Sequence, residues 1–350
     1  MLTLPRLALA AFALLAAAPA AWAGDAPQAP PPAPAMMVVD SCAPPCAPAC
    51  REACCSACLP KCGRLTLDLH VALLDDPEGP PTGIAPGTPT AVDWDSLSYG
   101  LAIGGHAAYE WKAGCDWVAR VGGTWWGSWS DDEVVNGNLA GRNPNGGLSV
   151  SPLFDVPLES EATLWEAEVS LWRTCTTTPC WCAAWGWGLR YVSFEEESSF
   201  SFPVGTAAPA TALTETEASN TLLAAQLLGR VGWCLNSRWD FTIEAAGFAG
   251  WRHTETDVVP TWPAPSPPAT HEEADEFGFG FAAELALRWK VCPSWSIRGG
   301  YGMIALFDQA RSTELVEFGV LSPGAPITST TASEDTVLVH RLFLGVEFNF

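Results

Sequence analysis

The chain has 350 residues, of which 48% are hydrophobic and only 16% are charged, and 39 acidic against 17 basic residues give a formal net charge of −22. This acidic excess argues against nucleic-acid binding, which requires a basic surface. The low charged fraction suits a protein whose outer surface faces lipid, although a soluble β-sandwich can have a similar composition.

The first 23 residues have the features of a secretory signal peptide. Arg6 supplies a positive n-region, residues 7–20 form a short apolar stretch, and Ala21-Trp-Ala provides a cleavage site before Gly24. We therefore expect the mature chain to begin at Gly24. No later stretch approaches twenty uninterrupted apolar residues, so a membrane crossing would have to use strands.

Residues 24–64 are predicted to be a disordered periplasmic segment, in which a Pro/Ala-rich linker precedes a cluster of cysteines. These are Cys42, Cys46, Cys50, Cys54, Cys55, Cys58 and Cys62. A signal peptide directs them to an oxidising compartment, which favours disulfide bonds. The Cys55–Cys58 spacing could also bind zinc, but paired CxxC units and a nearby histidine are missing, so we predict no metal site.

A pair of tryptophans on either side of a short polar turn recurs four times between residues 111 and 295. The pairs are Trp111 and Trp117, Trp172 and Trp181, Trp233 and Trp239, and Trp289 and Trp295. Tryptophan at both ends of every short turn is typical of one interface of a membrane barrel. We therefore predict that these eight residues form a periplasmic aromatic girdle.

The remaining six cysteines lie in or beside the same four turns. They are Cys115, Cys175, Cys180, Cys182, Cys234 and Cys292. We hypothesise that disulfides join the cysteine-rich segment to the periplasmic rim of the barrel, or to a periplasmic or cell-wall protein. The total of 13 cysteines is odd, so at least one thiol must stay free or pair outside the chain.

Residues 65–350 are predicted to form an all-β, antiparallel, up-and-down transmembrane barrel of about ten strands, within a range of roughly eight to twelve. The candidate strands are residues 65–74, 98–111, 116–129, 161–173, 181–195, 218–233, 239–253, 274–289, 295–309 and 335–350. Long segments rich in Pro, Thr, Gly and acidic residues alternate with the short turns and are predicted to be extracellular loops, namely residues 75–97, 130–160, 196–217, 254–273 and 310–334. Both termini would then be periplasmic, which is the layout of a bacterial outer-membrane barrel.

The alternation of side chains predicts apolar residues toward lipid and polar residues toward the lumen. The predicted inward charges form a ladder of Asp68, Glu110, Arg120, Glu166, Glu168, Arg190, Arg230, Asp240, Glu244, Arg252, Glu284, Arg288, Arg298, Arg341 and Glu347. Paired charges of this kind favour a narrow pore or a closed barrel over a wide channel. One conflict remains, because Trp172 shares its face with Glu166 and Glu168, so the girdle is broken there or the strand contains a bulge.

The C-terminus looks like the signal that the outer-membrane barrel assembly machinery reads. Its elements are Gly345, Phe348 and the terminal Phe350, and Phe343 departs from the usual polar residue at its position. We expect this machinery as a partner during biogenesis, and outer-membrane lipid as the surroundings of the folded barrel.

Several stretches resemble a known group of barrels. They are residues 188–191 with Phe194, residues 220–230, residues 298–301, residues 306–308 and residues 343–350. They are similar to the outer-membrane barrels abundant in planctomycetes, which are themselves similar to the Legionella-type pore-forming major outer-membrane protein family. The resemblance covers about residues 65–350 and implies a pore-forming barrel without catalytic residues. The cysteine-rich segment departs from that pattern.

Together these features predict a narrow passive pore for small solutes, without catalysis and without a cofactor. The alternative is a closed structural barrel that anchors the envelope through its cysteine-rich segment. An outer-membrane hydrolase is a third interpretation, because a histidine beside a carboxylate can activate water or a serine. Its candidates are His253 and His271 near Asp257 and Asp275 in an outer loop region, or His70 and His106 in the lumen.

Overall fold

A computed structural model gives the fold of the chain. It describes residues 63–75, 82–83, 91–92, 99–114, 117–137, 140–142, 148–150, 154–176, 181–204, 210–261, 268–312 and 334–350. The predicted signal peptide and nearly all of the predicted periplasmic segment, including its seven cysteines, lie outside these residues. Within them, no helix is both long and apolar enough to cross a membrane.

The described part of the chain is all β. Its strands are β1 (Gly63–Leu74), β2 (Thr82–Gly83), β3 (Ala91–Val92), β4 (Ala102–Lys112), β5 (Trp117–Gly137), β6 (Ala140–Arg142), β7 (Leu148–Val150), β8 (Phe154–Thr176), β9 (Trp181–Val204), β10 (Ala210–Cys234), β11 (Trp239–Thr261), β12 (Thr270–Cys292), β13 (Trp295–Ala310) and β14 (Glu334–Asn349). Ten of them form one closed barrel in the order β1-β14-β13-β12-β11-β10-β9-β8-β5-β4. The predicted antiparallel up-and-down barrel of about ten strands is therefore confirmed.

The barrel closes where the first strand meets the last. Leu67 pairs with Val346 and Asp68 with Gly345 in the β1–β14 ladder, and the amide of Phe350 donates to the carbonyl of Gly63 over 3.0 Å. A Cβ at position 345 would lie 2.0 Å from Oδ1 of Asp68 and 2.3 Å from the carbonyl of Leu67. The close packing of the two strands and the Asp68 side chain therefore requires glycine at position 345. This requirement is separate from the predicted role of Gly345 in assembly.

Six adjacent strands are much longer than a membrane crossing requires. β8 has 23 residues, β9 has 24 and β10 has 25, whereas a tilted strand crosses the hydrocarbon in about 9–11 residues. The segments 130–160, 196–217 and 254–273, which were predicted as loops, are in large part continuations of these strands. The apolar alternation stops where the wall leaves the lipid, so the sequence pattern no longer identifies residues that are still paired.

Exposed apolar side chains form a continuous band around the outside of the barrel. Examples are Leu69, Ile103, Val121, Leu189, Leu223, Leu285 and Leu344. Aromatic side chains mark both edges of the band, with Trp165 and Tyr191 in contact at a centroid distance of 4.8 Å on one side, and Trp239 and Trp289 stacked at 6.1 Å on the other. An apolar band between two aromatic edges is typical of a transmembrane barrel.

Trp172 is not part of the girdle, and its inclusion in the sequence prediction was wrong. β8 pairs with β9 without a bulge from Leu158 to Thr176, so Trp172 lies on the same face as Glu168. Its side chain is fully buried inside the barrel, and its indole nitrogen donates to Ser170 over 2.9 Å. The other seven predicted girdle tryptophans lie partly exposed at the end of the barrel that carries the short turns.

Candidate functional site

The interior of the barrel is the candidate functional site, and it contains three successive zones. From the short-turn end outward they are an ion-pair layer, an apolar layer and an outer polar cluster, each defined below by its residues. All fifteen side chains of the predicted charge ladder lie on the inward face, and most of them are buried.

The centre of the ion-pair layer is a chain of arginines and glutamates that joins several strands. Arg120 contacts Glu168 at 2.8 Å and Glu244 at 2.7 Å. Arg230 contacts Glu244 at 2.7 Å and Glu110 at 2.9 Å. Because these strands are not all neighbours, the chain of ion pairs crosses the lumen instead of following its wall.

Further ion pairs complete this layer. Arg190 contacts Glu166 at 3.2 Å and Glu168 at 3.0 Å, and Arg341 contacts Glu284 at 2.7 Å. Further contacts are Arg298 with Asp68, Glu284 and Glu347, Arg288 with Glu347 and Asp240, His106 with Asp68, and Arg252 with Glu276 farther out. Arg64, which pairs with Glu110, and Lys290, which pairs with Asp240, also belong here. These two cations were not part of the predicted ladder, because Arg64 lies just before the predicted start of the barrel and Lys290 just after a predicted strand.

Aromatic rings support the guanidinium groups of this layer. The Arg230 guanidinium lies 4.5 Å from the ring centroid of Trp172, and that of Arg190 lies 4.9 Å from Phe248. A guanidinium over an aromatic face is attracted by the ring quadrupole. This contact gives Trp172 a reason to occupy the lumen although its sequence position suggested the girdle.

The ion-pair layer leaves two small cavities, one above the other. The outer cavity has a volume of about 50 Å³ and the inner one of about 20 Å³. Arg120, Glu244 and Glu284 line both of them, so these side chains separate the two. A water molecule needs about 10–15 Å³ on this measure and polar partners, so the cavities can hold a few waters but not a continuous channel.

The apolar layer lies above the ion pairs and fills the outer half of the lumen. Its fully or almost fully buried members are Leu74, Trp126, Trp129, Leu164, Val192, Phe194, Leu222, Phe248, Ile304, Leu306, Val337 and Val339. A bulge at Trp126 in β5, followed by Gly127 at φ 109°, brings both Trp126 and Trp129 to the inside. The expectation that polar residues face the lumen therefore fails in this layer.

The outer polar cluster closes the lumen above the apolar layer. Its centre is Glu196 of β9, which is fully buried and accepts hydrogen bonds from Tyr99 at 2.8 Å and from Arg311 at 2.8 Å. Glu196 lies in a segment that was predicted to be an acidic outer loop, and Arg311 was not among the predicted functional residues. The alternation of side chains along the strand could have identified Glu196, because it shares its face with Phe194 and Phe200, whereas Glu195 and Glu197 face outward.

The histidines considered for catalysis lie in different places. His253 contacts Asp275 at 2.8 Å and His271 contacts Asp257 at 2.9 Å, and both pairs are exposed on the outer face of the β11–β12 hairpin. The hydrogen bond that His271 donates to the Asp257 carboxylate raises the pKa of His271, and the one that His253 donates to the Asp275 carboxylate raises the pKa of His253. His70 and His106 are buried in the lumen, as the sequence suggested.

The outward wall above the apolar band is strongly acidic. Glu161, Glu197, Glu217 and Asp257 are directly opposite one another on successive strands. Like charges in directly opposite positions repel each other, and partial burial together with these neighbours raises the pKa of Glu217. Among the described residues, Glu255, His271 and Glu273 come close enough to share a metal ion, but all three are exposed.

The described cysteines differ in state. Cys182 is disulfide-bonded, whereas Cys292 is an exposed free thiol at the β12–β13 turn. Cys115 and Cys180 lie outside the described residues, as does the side chain of Cys175. The proposed link between the cysteine-rich segment and the barrel rim therefore stays a prediction.

No protein-family model matches this chain, and no curated protein matches it. Among solved structures, the chain is similar to the outer-membrane protease OmpT from Escherichia coli, with 10% identity, a TM-score of 0.43 and coverage of 83% of this chain and 97% of OmpT. It is also similar to a mutant of TodX, a monoaromatic hydrocarbon channel, with 10% identity, a TM-score of 0.30 and coverage of 83% and 91%. It is similar as well to the NanC porin, with 9% identity, a TM-score of 0.28 and coverage of 81% of this chain and 100% of NanC. The assignment of the fold rests on the strand pairing within this chain itself.

Proposed function

We propose that the protein is a bacterial outer-membrane barrel that lets small hydrophilic solutes pass passively through a narrow lumen, and that it is closed in the conformation described here. The apolar band with its two aromatic edges supports the membrane location. The end with the short turns, where Gly63 meets Phe350, would face the periplasm. The tall acidic wall would face outward.

One observation supports the proposal of a pore. The inner half of the lumen is lined by charged side chains and contains two water-sized cavities, whose linings share Arg120, Glu244 and Glu284. Arginine and carboxylate side chains can exchange partners, since Arg120 already has two carboxylate partners and Glu244 has two arginines. Such an exchange would join the two cavities without any movement of the backbone.

Liposome swelling tests this proposal. Vesicles that contain the folded full-length protein are placed in isotonic solutions of sugars and amino acids of increasing size. We expect slow swelling that is limited to the smallest solutes, and faster swelling for Glu244→Gln, because it removes the carboxylate that Arg120 and Arg230 share. Lipid without protein is the blank, and Glu215→Gln, on the exposed outer wall, is the matched control.

A closed structural barrel is the second candidate, and the apolar layer favours it. Side chains such as Trp129 and Phe194 are almost completely buried, and a packed layer of this kind passes neither water nor ions. In this case the protein would anchor the envelope, with the cysteine-rich segment linked to a periplasmic or cell-wall protein. Vesicles that do not swell for wild type or for Glu244→Gln, although both proteins are folded, would refute the pore and leave this function.

A further inference from the structure

We propose that residues 308–312, at the outer end of β13, form a lid over the lumen, and that Glu196 on the far side of the barrel is the latch that holds the lid closed. The proposal deepens the proposed function, on which it rests, because it names the element that controls access from outside. It gives a role to Glu196, Asn220 and Arg311, three residues that are not part of the predicted charge ladder.

The lid begins where β13 leaves the wall of the barrel. The β13–β14 ladder is regular up to Leu306, is interrupted by a bulge, and resumes with only two pairs, at Gln309 and Ala310. Asp308 in this bulge has φ 57°, a left-handed conformation that residues other than glycine rarely adopt. Phe307 stays with the wall, since its ring stacks on Phe279 of β12 at 4.9 Å. The bulge therefore separates a fixed strand from an end that turns inward.

The inward-turned end reaches strands that are not neighbours of β13. The side-chain amide of Asn220 in β10 donates to the carbonyl of Ala310 over 2.8 Å, and its oxygen accepts from the amide of Ala310 over 3.0 Å. In the barrel order, β11 and β12 lie between β10 and β13. These two bonds therefore span the lumen, and they hold Ala310 at a point where the ladder between β13 and β12 has already ended, at Leu306 and Gly280.

Glu196 in β9 is the centre of the closure. One carboxylate oxygen accepts from Arg311 and from the Tyr99 hydroxyl, each over 2.8 Å, and the other accepts from the amide of Ser312 over 2.8 Å. Ser312 also contacts Ser198, with 2.6 Å between the hydroxyl oxygens. Glu196 and Arg311 are both fully buried. A single charge therefore holds several donors, and its removal would weaken the closure at every one of them.

The lid covers the outer end of the apolar layer. Leu306, just before the bulge, and Val337, its partner on β14, belong to that layer and stay with the wall. An outward movement of residues 308–312 that breaks the contacts of Glu196 would therefore remove the outermost closure of the lumen and uncover the layer beneath it.

The test measures lid movement and conductance separately in the full-length protein. Ser312→Cys is introduced into proteoliposomes, and a membrane-impermeant thiol reagent is added from outside, with the labelled peptide identified by mass spectrometry. In the Glu196→Gln background we expect labelling of position 312 and the frequency of channel openings to rise at least about tenfold. Glu197→Gln is the matched control, because its carboxylate is the next in sequence but points outward.

A disulfide lock tests the same idea in the opposite direction. The Ser198 and Ser312 hydroxyls are close enough for Ser198→Cys with Ser312→Cys to form a disulfide. Oxidation of this pair in the Glu196→Gln background should abolish the openings, and reductant should restore them, with reductant-treated wild type as the control. Asn220→Ala should also raise the labelling of position 312. Because this substitution leaves no buried charge unpaired, it replaces Glu196→Gln in the test if that variant does not fold.

The outcomes distinguish the lid from the pore. Equal labelling in the Glu196→Gln, Asn220→Ala and Glu197→Gln backgrounds would overturn the lid, whatever the conductance. Increased labelling without current in any variant would support the lid as a cover and refute the passive pore.

Discussion

Removal of Arg190 tests whether the ion-pair layer stabilises the barrel. Arg190 is buried, contacts Glu166 and Glu168, and accounts for the only ion pair of Glu166 among the described residues. Arg190→Met would leave Glu166 as an uncompensated charge, whereas Glu168 keeps Arg120. Breaking a buried pair in this way costs about 3–5 kcal/mol. We expect the lower end, about 3 kcal/mol, or roughly a hundredfold in the folding equilibrium.

The assay is urea-induced unfolding of the protein in lipid vesicles, followed by tryptophan fluorescence. The double variant Arg190→Met with Glu166→Gln is the control, because it removes the orphaned charge together with its partner. We expect it to recover about 1–2 kcal/mol of the loss. A loss below about 1 kcal/mol for Arg190→Met alone would refute the view that paired charges hold the lumen together.

Three further predictions concern the apolar layer, a close contact between strands and the outer hairpin. Trp129→Ala should lower the free energy of unfolding by about 3–5 kcal/mol, because the side chain is almost fully buried, and an unchanged urea midpoint would contradict the packed layer. Gly188→Ala should prevent folding into vesicles, since its Cβ would lie 2.1 Å from the carbonyl of Val169. Folding is measured by the heat-dependent gel shift, and a normal yield of folded protein would show that the strands can separate there. The NMR titration midpoint of His271 should lie above 6.5, and Asp257→Asn should lower it. The stability that this pair contributes is present below pH 6.5 and is lost as the pH rises through the raised pKa; a midpoint at or below 6.5 would contradict the contact.

The membrane-spanning part of the fold could be predicted from the sequence because lipid imposes a strict alternation. In β11, for example, Trp239, Phe241 and Ile243 alternate with Asp240 and Thr242, and the structure places the two sets on opposite faces. The residues of the charge ladder could be predicted from the same alternation. Because the strands obey this alternation where they carry the charge ladder, the inward face there could be identified without knowledge of the pairing partners; the bulge at Trp126 in β5 reverses it farther out.

The upper half of the molecule could not be predicted in this way. Above the lipid, both faces of the strands contain Thr, Ser and Glu, so periodicity does not separate strand from loop. Glu196 and Arg311 come together only through a contact between β9 and the residues that directly follow β13, 115 positions apart in the sequence, and no local pattern encodes such a contact. Trp172 was misplaced because the rule for aromatic girdles was applied against the parity of its own strand.

Single-channel recording shows whether the lumen is a narrow passage closed by side chains. The full-length protein, folded in detergent and inserted into a planar bilayer, is compared with Glu196→Gln and Glu244→Gln. We expect rare, small openings for wild type, more frequent openings for Glu196→Gln and larger ones for Glu244→Gln. Complete silence in all three, with intact heat-dependent gel shifts, would contradict this expectation and show that the barrel is a closed structural element of the envelope.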